Sequence, residues 1–269
     1  MIELRGREPP LAGEFRLFTE QRGGVVEGAL LVSRVVDPDT DGGWCRAEMR
    51  RLAEVAGADA GPVTLVESLH SQGFRGVSPR QYTWPRNSAL EHVLRNRQGI
   101  PISLGVVILG AAAHLDLRAT GIDFPRRFLV ALNNRLVDPT AMSMTSKTDC
   151  LTWLRRELRK DGRRRVVNDT AFRPTEPTDI ALRMLNNLRL AASMQGDHAR
   201  ALDLTDYQII LHPTAFSLHV DRADLWLSLG SLDMARRELA RAMELAHGKM
   251  RRRIRKRLEA LPGRSSSVN

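Results

Sequence analysis

Cysteine is nearly absent from this chain. Cys45 and Cys150 are the only two in 269 residues. They lie far apart and neither belongs to a set with metal-ligand spacing. That count argues against a disulfide framework and against a metal centre, no motif calls for a cofactor, and a reducing compartment fits best. A long apolar run is missing too. The most apolar stretch, residues 100–115, contains Ser103, Gly105, Gly110 and His114 and is too short to span a membrane, so it reads as a buried core helix. The first fifteen residues hold no apolar segment of the kind a secretory signal needs. The expectation is a cytoplasmic protein with no membrane partner. Lysine is scarce as well, since nearly all of the 41 basic residues are arginine.

The net charge of +10 is uneven. Residues 1–150 carry 18 basic against 17 acidic side chains, and residues 151–269 carry 23 against 14. The C-terminal half therefore holds almost all of the excess, which favours acidic partners without identifying one.

Hydrophobic spacing organises the rest. Residues 1–75 read as helices separated by Asp-Pro-Asp, Gly-Gly and Ala-Gly-Ala breaks. Ser88 and Glu91 have the spacing of a capping box before LEHVLRNR. Gly99 then reads as the stop of that helix and Pro101 as the first turn of the next. The next helix is apolar on nearly every face, so it should be surrounded by protein. Gly105 and Gly110 cost it about 1 kcal/mol each in propensity, which points to close approach by a neighbouring backbone.

RRFLVAL and RLVDPT flank Asn133-Asn134, a pair that tolerates the positive φ angles of a two-residue hairpin loop. That loop pairs Leu132 with Arg135. Alternation then puts Arg127, Leu129, Asp138 and Thr140 on one face, with Arg127 and Asp138 diagonal neighbours. Phe128, Val130, Leu132 and Val137 take the other, core-facing side. The charged stretch 153–177 reads as a linker. Beyond it the chain repeats at an offset of 34 residues: Gly196 matches Gly230, and Ala201 matches Ala235. Helix pairs are expected at 179–194 with 198–211 and at 214–229 with 232–246, a period typical of tetratricopeptide units. The last segment, 263–269, reads as a disordered tail.

The chain resembles the transglutaminase-like superfamily and, within it, the SirB family, in which a degenerate transglutaminase-like domain precedes tetratricopeptide repeats. The matching stretches are GFRGVSPRQYTWPRNSALEHVLRNRQGIPISL, GIDFPRRFLVAL, LVDPT and LRMLNNLRLAASMQGDHARALDL, and the resemblance covers most of residues 25–245. It implies an α+β, mostly helical fold: a papain-like domain with a small antiparallel sheet over 1–152, then a short helical solenoid over 178–262. It also places Ser103 at the nucleophile position, Arg127 where a histidine is usual, and Asp138 at the retained aspartate. A serine needs a base to attack, and arginine, always protonated, cannot be one. The degenerate positions Ser103, Arg127 and Asp138 thus read as a structural remnant, with Arg127 and Asp138 as an ion pair.

The expected function is a non-catalytic interaction scaffold or regulatory adaptor that holds a protein or peptide on its helical repeats. One alternative is an acyl-transfer enzyme or hydrolase using Ser103. His114 is too far along the same helix to serve it, and His92 reads as a packed or solvated residue. A second alternative is a nucleic-acid-binding accessory. Its candidates are Arg251, Arg252, Arg253, Arg255, Lys256 and Arg257, joined by Arg163, Arg164 and Arg165. Arg126 and Arg127 beside the start of the buried helix also offer an anion site. Cys45 reads as a small buried apolar residue, and Cys150 as a helix-start thiol.

Overall fold

The computed structural model describes residues 8–162 and 168–262. In chain order its elements are α1 (Ala12–Glu20), α2 (Val25–Val36), α3 (Gly42–Ala56), α4 (Pro62–Ser71), β1 (Arg75–Gly76), α5 (Leu90–Asn96), β2 (Gln98–Gly99) and α6 (Pro101–Ala112). Then come β3 (Ala119–Phe124), β4 (Arg127–Leu132), β5 (Arg135–Asp138), β6 (Ser143–Thr145), α7 (Lys147–Lys160) and β7 (Arg173–Thr175). The C-terminal helices are α8 (Pro177–Met194), α9 (His198–Leu211), α10 (Phe216–Ser228), α11 (Leu232–Leu245) and α12 (Gly248–Glu259). The protein is mostly helical with a small antiparallel sheet. It divides into two compact units. One is Leu17–Met184; the other joins the described parts of Met1–Arg16 and Leu185–Asn269.

In the first unit everything is built on α6. Every residue from Ile102 to Ala112 is buried, because α2, α3 and α5 pack on one side of the helix and β3 and β4 on the other. Its two glycines do mark close approaches, but by side chains and not by a backbone. A Cβ on Gly105 would lie 2.4 Å from the Phe128 ring, and one on Gly110 would lie 2.2 Å from Met49 Sδ.

The start of α5 corrects the expected capping box. Ser88 ends a 3-10 turn over Pro85–Ser88, and the residue before α5 is Ala89, which has no side-chain cap. The first amide, Leu90 N, instead donates to Ser33 Oγ of α2 at 2.6 Å. Glu91 is drawn elsewhere: its carboxylate accepts from Asp41 N at 2.7 Å and pairs with Arg95. Nor does Gly99 stop the helix. Arg97 does so with φ +58°, and Gly99 lies in β2, paired in parallel with Gly76 of β1. Arg97 holds that corner by an ion pair to Glu48 at 2.6 Å and by stacking its guanidinium over Phe74.

The five-stranded sheet has the order β6-β5-β4-β3-β7, with every neighbouring pair antiparallel. The Asn-Asn loop forms as its residue types require, with φ +45° at Asn133 and +66° at Asn134, and Leu132 pairs with Arg135. Phe128, Val130, Leu132 and Val137 are buried. The opposite face is covered as well. Leu129, Ile122 and Phe124 pack with Cys150 and Leu154 of α7. The stretch read as a linker, 153–177, therefore contains the rest of α7 and the edge strand β7, which pairs with β3 from Gly121↔Thr175 to Asp123↔Arg173. The apolar face of α7, with Cys150, Leu151, Trp153, Leu154 and Leu158, is set among arginines and runs across the start of that stretch.

The second unit is helical. Gly196 and Gly230 take left-handed φ angles of +77° and +74° at equivalent turns, and Ala201 and Ala235 are fully buried where their helices meet neighbours. Helices α9 and α11 begin and end 34 residues apart, so the sequence period is a structural one. The described residues up to Arg16 belong with this unit: Phe15 packs on Tyr207 with ring centroids 4.8 Å apart. Helix α12 packs on α11 and buries Ile254. Arg163, Arg164, Arg165 and residues 263–269 lie outside the described residues.

Candidate functional site

Ser103 sits in the first turn of α6 and is fully buried. Its hydroxyl does not cap an amide. It donates to the backbone carbonyls of Asn87 at 2.7 Å and Ile100 at 3.0 Å. Gly99 closes over it so tightly that a Cβ there would lie 2.7 Å from Ser103 Oγ. The hydroxyl proton is committed to two carbonyl oxygens, and among the described residues no histidine or carboxylate is hydrogen-bonded to it.

Arg127 and Asp138 are together, with Nη1 and Oδ2 2.8 Å apart. Asp138 Oδ1 also accepts from Thr140 N at 2.9 Å. The Arg127 guanidinium lies 3.8 Å from the centre of the Trp153 ring on α7, and the Arg127 carbonyl accepts from Arg183 Nη2 at 2.8 Å. The pair is partly buried, its side chains 29% and 14% exposed. Because successive strand residues point to opposite faces, Phe128 meets Gly105 of α6 while Arg127 meets α7. The strand thus turns Arg127 and Asp138 toward α7, whereas Ser103 belongs to the helix on the other face. Of the three positions that the resemblance gathers into one cleft, Ser103 is bonded to backbone carbonyls and Arg127 is paired with Asp138.

Arg126 occupies the β3–β4 turn at φ +67° and pairs with Asp161. Arg126 and Arg127 therefore each have a carboxylate partner of their own. Cys45 is fully buried, and desolvation pushes its thiol up to about 12. Cys150 is buried beside the Thr145 hydroxyl, and desolvation raises its thiol also. His92 is half-buried next to Asn96, and burial lowers its imidazole from the ordinary value. His114 is exposed at the far end of α6. Among the described residues no group of three or more His, Cys, Asp or Glu is placed to hold a metal ion, and no helix is long and apolar enough to cross a membrane.

In the second unit, Arg251, Arg252, Arg253, Arg255 and Lys256 of α12 are exposed. Arg257 differs from them, because it pairs with Asp224 of α10. A buried polar network was not visible in the sequence. His219 Nδ1 lies 2.9 Å from Glu238 Oε2, and Arg222 bridges Glu238 at 2.9 Å and Asp206 at 2.6 Å. Burial pushes the Glu238 carboxyl up, but His219 and Arg222 outweigh it and hold the group below its usual range. Asp206 is raised, chiefly by burial. The only sequence signal for this network was a set of polar residues on otherwise apolar helix faces.

The chain belongs to the transglutaminase-like superfamily, whose family model matches residues 46–186, over half of its length. Its similar relatives are bacterial UPF0162 proteins. It is 32% identical to one from Pseudomonas aeruginosa over 60% of each chain, and 34% identical to one from Vibrio cholerae over 40% of this chain and 43% of that one. A Xylella fastidiosa relative is 28% identical over 81% of this chain and 82% of its own. The first two matches therefore span less than two thirds of those relatives. No solved structure matches the chain.

Proposed function

We propose that this chain is a non-catalytic interaction adaptor of the cytoplasm, a SirB-like member of its superfamily whose helical repeats act as tetratricopeptide units for a protein or peptide partner. The observation that carries the reading is the state of Ser103. Its proton is held by the carbonyls of Asn87 and Ile100, it has no solvent access, and the position that would supply a base carries Arg127, whose guanidinium stays charged. An activated nucleophile needs the reverse of each of these. The repeat at 34 residues and the exposed Leu190 and Met194, one turn apart on α8, support a docking role for the helices.

The test has two arms. A fluorophosphonate acylating probe should leave Ser103 unlabelled. Labelling that disappears in Ser103→Ala would restore the enzyme reading and overturn this one. The tagged full chain should also retain a defined protein partner through nuclease and high salt, and lose it when Leu190 and Met194 are replaced by glutamate.

A second reading is nucleic-acid binding through α12. It is favoured by the exposure of Arg251, Arg252, Arg253, Arg255 and Lys256, which have no carboxylate partner among the described residues. Phosphate contacts of this kind weaken steeply with salt. Affinity for duplex or single-stranded nucleic acid that falls with salt and is lost on neutralising these five residues would favour it over the adaptor.

A further inference from the structure

The unit that carries the sheet also holds a cavity of about 450 Å³ at the C-terminal end of α6, far along that helix from Ser103. Its size falls within the ~300–1,000 Å³ typical of small-molecule pockets. The walls are aliphatic: Val26 from α2, Met49 from α3, Leu109 and Ala113 from the end of α6, and Leu117 beyond it. Met49 and Leu109 are buried at its base. Gly110 keeps α6 and α3 close there, since a Cβ would strike Met49 Sδ.

The polar groups of the lining are few and selective. They are Glu27, Arg46, Arg50 and His114. Arg46 and Glu27 face each other at 3.6 Å, which neutralises the one carboxylate. Arg50 is exposed and has no carboxylate partner among the described residues. The lining contains no aromatic ring on which a base could stack and no hydroxyl or side-chain amide to match a sugar. Helix α2 also opens here, but the Glu27 carboxylate in its first turn lies against Gly24 and already meets the local dipole, which leaves Arg50 as the group for an anion.

We propose that this cavity is a binding site for a short aliphatic carboxylic acid, with the alkyl chain against Val26, Met49 and Leu109 and the carboxylate held by Arg50. The chemistry is set by what the walls lack as much as by what they supply. An aliphatic tail needs no hydrogen-bond partner, and a single anionic head matches a single uncommitted guanidinium. The inference goes beyond the adaptor reading and does not rest on Ser103, so either can fail without the other.

The experiment is calorimetric titration of the full chain with octanoate, octan-1-ol and octylamine. Octanoate should bind saturably at one site, with the alcohol and the amine weaker by roughly tenfold or more, the value of one charge-assisted hydrogen bond. Arg50→Gln should cost octanoate a similar factor, and Ala113→Trp, which fills the mouth from an exposed position, should abolish binding. Should the tryptophan variant not fold, methionine-methyl NMR of the native chain decides. Octanoate should move the Met49 resonance and leave that of the exposed Met194 in place. Absence of saturable binding, equal binding of alcohol and acid, or shifts that spare Met49 would overturn the proposal.

Discussion

Replacing Asp138 with Asn is the most direct probe of the Arg127–Asp138 pair. The amide keeps the shape and can still accept from Thr140 N, so the change removes mainly the charge facing Arg127. Fully buried pairs cost about 3–5 kcal/mol to break, and exposed ones contribute about 0–1 kcal/mol. With side chains 29% and 14% exposed, this pair lies between those limits, and we expect a loss of about 1–3 kcal/mol. In a unit of this size that corresponds to about 3–10 °C in melting temperature. Arg127→Met removes the other charge while keeping an apolar chain over Trp153. Urea unfolding of both single variants and the double variant closes a cycle, whose coupling energy should be about 1 kcal/mol or more. A coupling below about 0.3 kcal/mol, within ordinary additivity error, would refute the view that this contact is a structural ion pair.

Other outcomes follow from particular contacts. Gly105→Ala should cost about 1–3 kcal/mol, because the Phe128 ring at 2.4 Å has little room to move. Gly110→Ala should cost less, because Met49 can swing its flexible end aside, and the two denaturation midpoints give the comparison. Glu48, bonded to Arg51 and Arg97, has its carboxyl lowered chiefly by Arg51. Its contribution is therefore complete above the ordinary carboxylate range and is lost as pH falls through the depressed folded value. The stability gap between the native chain and Glu48→Gln should be level near neutrality and close only in acid, and a gap that widened in acid would contradict this. Finally, Cys45, at about 12, and Cys150, also raised, are both buried. At pH 8 the native protein should resist iodoacetamide while the unfolded chain takes up two labels by mass spectrometry.

The hairpin was legible because its determinants are adjacent. Two asparagines tolerate positive φ, a two-residue loop leaves one register, and strand alternation then puts Arg127 near Asp138. The buried character of α6 and the 34-residue period were legible for the same reason, since each is a pattern of side-chain type along a local stretch. Strands β6 and β7 were not, because three-residue strands carry little periodicity, and β3 was not, because its first half, Ala-Thr-Gly, carries no alternation. Helix α7 was read only in part, since its stripe of Cys150, Leu154 and their partly buried neighbours is interrupted by charge.

Satisfaction of buried polar groups was decided only by tertiary structure. Leu90 N finds Ser33, 57 residues earlier, instead of the serine two positions before it. Ser103 Oγ finds the carbonyl of Asn87, 16 residues earlier and beyond α5. Arg222 gathers Asp206 and Glu238 from two other helices. A donor or acceptor accepts whichever partner folding brings within reach, and burial makes that partner necessary without naming it. By itself the sequence determined the Asn-Asn hairpin, the core helix, the 34-residue period and the closeness of Arg127 to Asp138. Only the packed chain decided that Ser103 lies closed beneath two carbonyls and that Trp153 of α7 covers Arg127, because those outcomes depend on groups that meet only after the helices and strands have assembled.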